Sequence, residues 1–162
     1  TSPARPSPSD RVSAPLLAAA LGALAEGVLL AEPRWRAGGL GILFANDSLC
    51  ALTGRPAAAL RGRPHGELHA DHAHFPALRR WLRRAAPGQA FSGEGYLARA
   101  DGTPLYAAWT FSAVAGARGR VTHVAVTYRD MTAKRRLQEE LVHTQRLDAV
   151  GRLAGEIGRA HV

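Results

Sequence analysis

The sequence predicts an α+β domain built on an antiparallel sheet, followed by a long C-terminal helix. Three observations carry that prediction. Apolar residues recur at three- and four-residue steps in much of the first half. The period then drops to two between residues 91 and 128, and it returns to helical from residue 132 to the end. Short helices, two early strands and a late three-strand meander pack as a sheet with helices over one face.

The 162 residues suit one domain with an appended element. At 46% hydrophobic and 21% charged, the composition is that of a globular protein and excludes wholesale disorder. No apolar run reaches the ~18–20 residues a bilayer span needs. The most apolar early stretch, residues 15–24, lacks the charged flank and cleavage site of a signal peptide. A cytoplasmic setting is therefore expected. The single Cys50 excludes an intramolecular disulfide and a cysteine-based metal cage. Because the chain begins at Thr1 rather than Met, it reads as an excised piece of a longer protein.

Taken in order, residues 1–14 are rich in Pro and Ser and read as a disordered leader. Leu16, Leu17, Ala20, Leu21 and Leu24 recur at helical steps and predict an amphipathic helix over 15–24. Val28, Leu29 and Leu30 form a short strand, residues 34–39 a turn, and residues 42–45 a second strand. Asn46, Asp47 and Ser48 supply a cap for a short helix over 49–52, which Gly54 ends. Residues 55–71, with several Pro, Gly and His, read as helical turns joined by loops. Phe75, Leu78, Leu82 and Ala85 mark a helix over 74–86, stopped by Pro87-Gly88. Residues 91–100, 105–114 and 121–128 are the meander strands, the first two joined at Asp101-Gly102. Residues 15–130 thus form one domain, and 131–162 a separate helix.

That last helix carries Leu137, Leu141, Thr144, Leu147, Val150, Ala154 and Ile157 on a coiled-coil-like stripe with a phase slip between Leu141 and Val150. Residues 133–158 as one helix would extend ~39 Å, further than so small a domain covers. The stripe therefore predicts a homodimer through this helix.

The net charge of +8 suggests a polyanion partner, yet Lys134 is the only lysine in an Arg-, Ala- and Gly-rich chain. Arg79, Arg80, Arg83 and Arg84 are the one dense cluster, and they read as the solvated face of a helix. No nucleic-acid partner is predicted.

Residues 44–48 (FANDS) followed by Leu52-Thr53-Gly54 resemble the strand–helix opening of a PAS domain. Asp101-Gly102-Thr103-Pro104 is similar to the family's hairpin. Residues 119–123 and 128–132 (YRDMT) resemble its last strand and its exit motif. Residues 141–157, with AVGRLAG at 149–155, resemble the first dimerisation helix of bacterial sensor histidine kinases. The resemblance implies a five-stranded antiparallel sheet with helices on one face. It further implies a sensory role in a two-component system, relayed through the C-terminal coiled coil to a kinase domain and response regulator. The signal would leave through Asp130, Thr132 and Arg135, and the dimer would be held by Leu137, Leu141, Leu147, Val150 and Ile157.

Among PAS domains the flavin-binding light-oxygen-voltage sensors resemble the chain most, through Gly62-Arg63 and the strand spacings. Their photoactive Cys is replaced here by His65, and their three flavin-holding amides by Leu97, Ala107 and Tyr128. Burying a flavin edge against Leu and Ala would strand polar atoms at ~1–3 kcal/mol each, so no flavin is expected. Ligand candidates on the sheet's inner face are Leu97, Ala107, Trp109, Phe111, Val124, Val126 and Tyr128, lining a small apolar cavity.

His65, His69, His72 and His74 crowd one segment with Asp71. His69, His72 and His74 are the candidate metal or haem ligands, His69 and His72 being spaced to share a helical face. The alternative is a polar loop of satisfied or exposed histidines, and no metal or other cofactor is predicted. At the place where kinase relatives carry the phospho-acceptor His stands Arg159, so the chain as given reads as no enzyme. A flavin- or haem-binding photoreceptor or gas sensor, and a ligand-free dimerisation module, remain the alternatives.

Overall fold

The computed structural model describes residues 12–160; the Pro/Ser-rich leader expected over 1–14 lies mostly outside them. The described residues divide into two compact units, one ending at Asp130 and one beginning at Met131.

The first unit opens with α1 (Ala14–Ala23), capped by the Ser13 side chain and started by Pro15. Leucines and alanines surround this helix on every side, so it has no polar face and buries no residue, in contrast to the amphipathic helix expected. Strands β1 (Gly27–Arg36) and β2 (Gly39–Ala45) follow as a hairpin. β1 continues through the segment expected to be a turn, because the register slips between Ala31 and Trp35. That irregularity takes up Pro33, which cannot donate to a regular ladder. The real turn is tight, with Gly38 and Gly39 at φ +91° and +125°.

Next come α2 (Asp47–Thr53), α3 (Ala57–Leu60), a 3₁₀ turn (His65–Leu68) and α4 (Phe75–Arg84). Asn46 caps α2, and Gly54 ends it in the left-handed region. The meander is β3 (Ala90–Ala98), β4 (Pro104–Ala115) and β5 (Val121–Asp130). The five strands are antiparallel in the order β2-β1-β5-β4-β3, the sheet the sequence predicts.

One face of this sheet is the core. Leu29, Leu40, Ile42, Leu97, Leu105, Phe111, Val124, Val126 and Tyr128 are buried on it, with Leu49, Leu60, Leu68 and Leu78 from the helical segments packed over them. The 3₁₀ segment is pinned at both sheet edges, through bridges Gly41 to Pro64 on β2 and His69 to Leu97 on β3. Five flat strands at ~4.8 Å spacing would set those edges ~19 Å apart, so the sheet curls beneath the segment that joins them.

Asn46 ties three elements together. Its Oδ1 accepts from the amides of Val28 (2.8 Å) and Leu49 (3.0 Å), and its Nδ2 donates to the carbonyls of Leu21 (2.8 Å) and Glu26 (3.1 Å). At 2% exposed it is a core residue as much as a helix cap.

The second unit is α5 (Thr132–Ala160), 29 residues of unbroken helix in which no residue is buried. Thr132 is its first helical residue, and the Arg135 amide closes the first turn on the Met131 carbonyl.

Candidate functional site: a histidine–aromatic layer on the inner face of the sheet

Alternation along β3, β4 and β5 brings the seven inner-face candidates together. Trp109 pairs with Tyr128, Phe111 with Val126, and Gly95 with Ala107, while Val126 and Val124 also face Leu29 and Ala31 on β1. All seven are buried, Trp109 being the most exposed at 5%. The indole of Trp109 lies across β3 because two positions there are glycine. A Cβ at Gly93 would stand 2.9 Å from its Nε1, and one at Gly95 would stand 2.8 Å from its Cη2.

The space above this face holds side chains of the 65–75 segment. His65, expected in a polar loop, is fully buried, and His69 is 4% exposed. His65 packs against Phe111 (5.4 Å between ring centroids), Phe75 (5.3 Å), Trp35 (5.8 Å) and His69 (5.5 Å). His69 continues the layer to Trp109 (4.8 Å), Tyr128 (5.7 Å) and His74 (4.7 Å). Gly39 makes room for it, since a Cβ there would meet the His65 Nδ1 at 2.5 Å.

Two hydrogen bonds moor the layer. The Leu40 amide donates to His65 Nδ1 (2.8 Å), so the hydrogen of that neutral imidazole sits on Nε2. His69 Nε2 and the Tyr128 hydroxyl are 3.0 Å apart. His65 Nε2, His69 Nδ1, His74 Nε2 and Trp109 Nε1 are buried with no hydrogen-bond partner among the described residues.

Burial sets the electrostatics. It pushes the His65 imidazole down to about 4, helped by His74 and His72. Burial, then His65, His74 and His72, holds His69 well below the ordinary imidazole range. His74 is lowered by burial, with Asp71 opposing the shift and His72 adding to it. Burial raises the Tyr128 phenol above its usual range.

The layer is therefore uncharged at neutral pH. His69 and His72 share no helix: the 3₁₀ turn ends at Leu68, His72 stacks on Phe75 at 4.2 Å and bonds the Gly66 carbonyl, and His74 precedes α4. Among the described residues no group of three or more His, Cys, Asp or Glu side chains is arranged to hold a metal ion.

Outside this layer, Arg79, Arg80, Arg83 and Arg84 are exposed on α4, with the Arg79 guanidinium 5.3 Å above the Trp35 ring. A surface cleft of about 640 Å³ lies between Ser48 and Leu52 of α2, the Arg99–Asp101 hairpin and Asp130. Of the exit residues, Asp130 ends β5 and Thr132 begins α5, while Arg135 pairs with Glu139 on the same helix (3.5 Å). Leu137, Leu141, Leu147, Val150 and Ile157 are exposed, and so is Leu153, which the stripe read from the sequence omitted. Among the described residues no helix is long and apolar enough to cross a membrane.

The comparisons agree with this architecture. A structure described as an RNA-binding light-oxygen-voltage receptor matches at TM-score 0.68 and 24% identity over 91% of this chain. The chain spans only 42% of that receptor chain. A PAS domain of an HTR-like protein from Haloarcula marismortui matches at TM-score 0.58, with 17% identity over 70% of this chain and 88% of that one. A PAS domain from Colwellia psychrerythraea matches at TM-score 0.60, with 18% identity over 72% of this chain and 95% of that one. No curated protein matches. The family described as the PAS fold matches residues 39–136, from the β1–β2 turn into α5. The chain belongs to the PAS-fold family.

Proposed function

We propose that this chain is the sensory module of a bacterial two-component signalling protein, working as a parallel homodimer through α5 and relaying its signal to a kinase output. The observation that supports the reading is α5. Over 29 residues it buries none, and Leu137, Leu141, Leu147, Val150 and Ile157 are 58–66% exposed. Each such side chain left in water forgoes ~1.5–3 kcal/mol, and a contiguous apolar stripe of that size marks an interface. Parallel pairing follows from the role, since two sensors must drive two outputs on the same side.

The kinase and its response regulator enter on the likeness of residues 149–155 to a kinase dimerisation helix. With Arg159 at the acceptor's place, the chain itself acts as a non-enzymatic relay, in a cytoplasmic setting.

A flavin does not fit the inner face. Leu97 and Ala107 are fully buried and offer no polar side-chain atom, the Tyr128 hydroxyl is committed to His69, and His65 replaces the sulfur. The helix α4, Phe75–Arg84, carries no histidine to serve as a haem ligand. The reading therefore assigns neither cofactor; an absorbance spectrum with a stoichiometric flavin or haem band would reverse it.

Sedimentation of the full chain against a version ending at Met131 tests the dimer. The shortened chain keeps every residue of the buried core. A dimer that becomes monomeric on truncation supports the reading. A monomer at tens of micromolar with α5 intact would end it, as would a dimer indifferent to truncation.

A further inference from the structure

We propose that His65, His69 and His74 form a proton-operated latch on the sheet's inner face, in which uptake of protons releases the imidazole side chains of the 65–74 segment from β2 and from Tyr128 on β5. This deepens the sensory reading by naming the input, and rests on that reading only for what α5 does afterwards.

Beside the backbone bonds that hold the segment, from the Gly66 amide to the Gly38 carbonyl and from the Ala70 amide to the Tyr96 carbonyl, two imidazole ties hold its side chains, and the first depends directly on protonation state. An imidazolium has two N–H donors and no acceptor. A proton on His65 Nδ1 would face the Leu40 N–H donor to donor across 2.8 Å. A second proton on His69 turns Nε2 into a donor to the Tyr128 oxygen, 3.0 Å away, so this tie is lost only when the charged ring moves outward to be solvated. Tyr128 pairs with Trp109 on β4 and Gly27 on β1, and stands two residues before the end of β5. Loss of the second tie thus reaches the segment that leads into α5.

Nothing inside compensates a positive charge. The buried inner-face positions of the five strands carry apolar side chains or glycine apart from Tyr128, while Thr122 and Asp130, of the same parity on β5, are exposed at its two ends. Glu94 on β3 is exposed. On β1 Glu32 pairs with Arg36, beside the 3₁₀ turn Glu67 pairs with Arg63, and on α4 Arg79 covers Trp35. In the loop, Asp71 favours a charge on His74, whereas His72, bonded to the Gly66 carbonyl, disfavours one on all three. A charged imidazole therefore gains its solvation by moving outward.

The working window follows. Released histidines titrate near the ordinary 6.5, whereas closed His65 titrates at about 4. Acidification across that interval favours the released form by up to about 300-fold through His65 alone.

The test is a titration of the full chain from pH 8 to pH 4. Near-ultraviolet circular dichroism reports on the packing of Trp35, Trp109 and Tyr128; far-ultraviolet circular dichroism reports on secondary structure. Proton NMR of the imidazoles identifies the titrating groups. The latch predicts a reversible near-ultraviolet change centred between about 4 and 6.5, with the far-ultraviolet signal retained. His69→Phe should shrink the transition. Should that variant fail to fold, His74→Gln at its half-buried position should make the transition less steep by removing one proton site. A flat near-ultraviolet signal, simultaneous loss of both signals, or core imidazoles titrating at the ordinary value in the packed state would each overturn the latch. Sedimentation of the same sample at pH 7.5 reads the α5 dimer independently, so either idea can fail without the other.

Discussion

Replacing Asn46 separates two accounts of what this residue does. As a helix cap alone, Asn46 contributes ~1 kcal/mol through its bond to the Leu49 amide, and Asp would serve as well as Asn. The structure gives it four bonds: two accepted, from Val28 and Leu49, and two donated, to the carbonyls of Leu21 and Glu26. Asn46→Ala removes all four at a residue only 2% exposed and leaves backbone amides unpaired, for a cost of ~3 kcal/mol. Asn46→Asp keeps both acceptor bonds but turns a carboxylate oxygen toward two carbonyls. At pH 7 it should therefore cost nearly as much as Ala, and the deficit should shrink below about pH 4, where a protonated carboxyl can donate again. Urea unfolding of the three proteins at pH 7 measures the differences from their midpoints. An Asp variant within ~0.5 kcal/mol of the parent would refute the four-bond account and leave only the cap.

The other expectations are shorter. His65 is depressed in the fold, so its contribution is intact above the unfolded value near 6.5 and is lost as pH falls toward about 4, by about 3 kcal/mol in all; urea midpoints at pH 7.5 and 4.5 show it, and His65→Gln should flatten the slope. Gly95→Val drives a Cβ to within 2.8 Å of Trp109 and should cost ~1–3 kcal/mol with a changed tryptophan near-ultraviolet signal; unchanged values would mean the indole lies elsewhere. Leu141→Glu with Val150→Glu should give a monomer of unaltered thermal stability in the sheet domain, since neither residue is buried. Purified protein should show no flavin absorption.

The sequence displayed most clearly what local pattern controls. The meander emerged from strict alternation, and Asp101-Gly102 marked its first turn. β1 was cut short because Pro33, Arg34 and Arg36 look like turn chemistry, and only pairing with β2 across a register slip keeps them in a strand. The seven inner-face residues were legible from register alone. What lies on top of them was not. Histidine is intermediate in its tendency to be buried, and nothing near His65 in sequence announces that the Leu40 amide, 25 residues earlier, will point at it. The faint signals were glycines: Gly39 under His65, and Gly93 with Gly95 under Trp109, each at a place where a ring takes the space of a Cβ. The α5 stripe is visible in the heptad-like steps, whereas Leu153 falls outside them and is equally exposed.

Spin-label distances across α5 test the central claim, parallel pairing of two sensors, most directly. With Cys50 replaced by Ser, labels are placed in separate samples at Arg136→Cys and Glu156→Cys, both exposed positions near opposite ends of the helix. A parallel in-register pair with axes ~10 Å apart puts like labels within about 10–25 Å of each other at both positions. An antiparallel pair centred on the helix would separate them by a further ~30 Å along the axis at both positions, at 1.5 Å rise per residue. Short distances at both sites are what the account predicts; long distances, or no dipolar coupling at all, would contradict it.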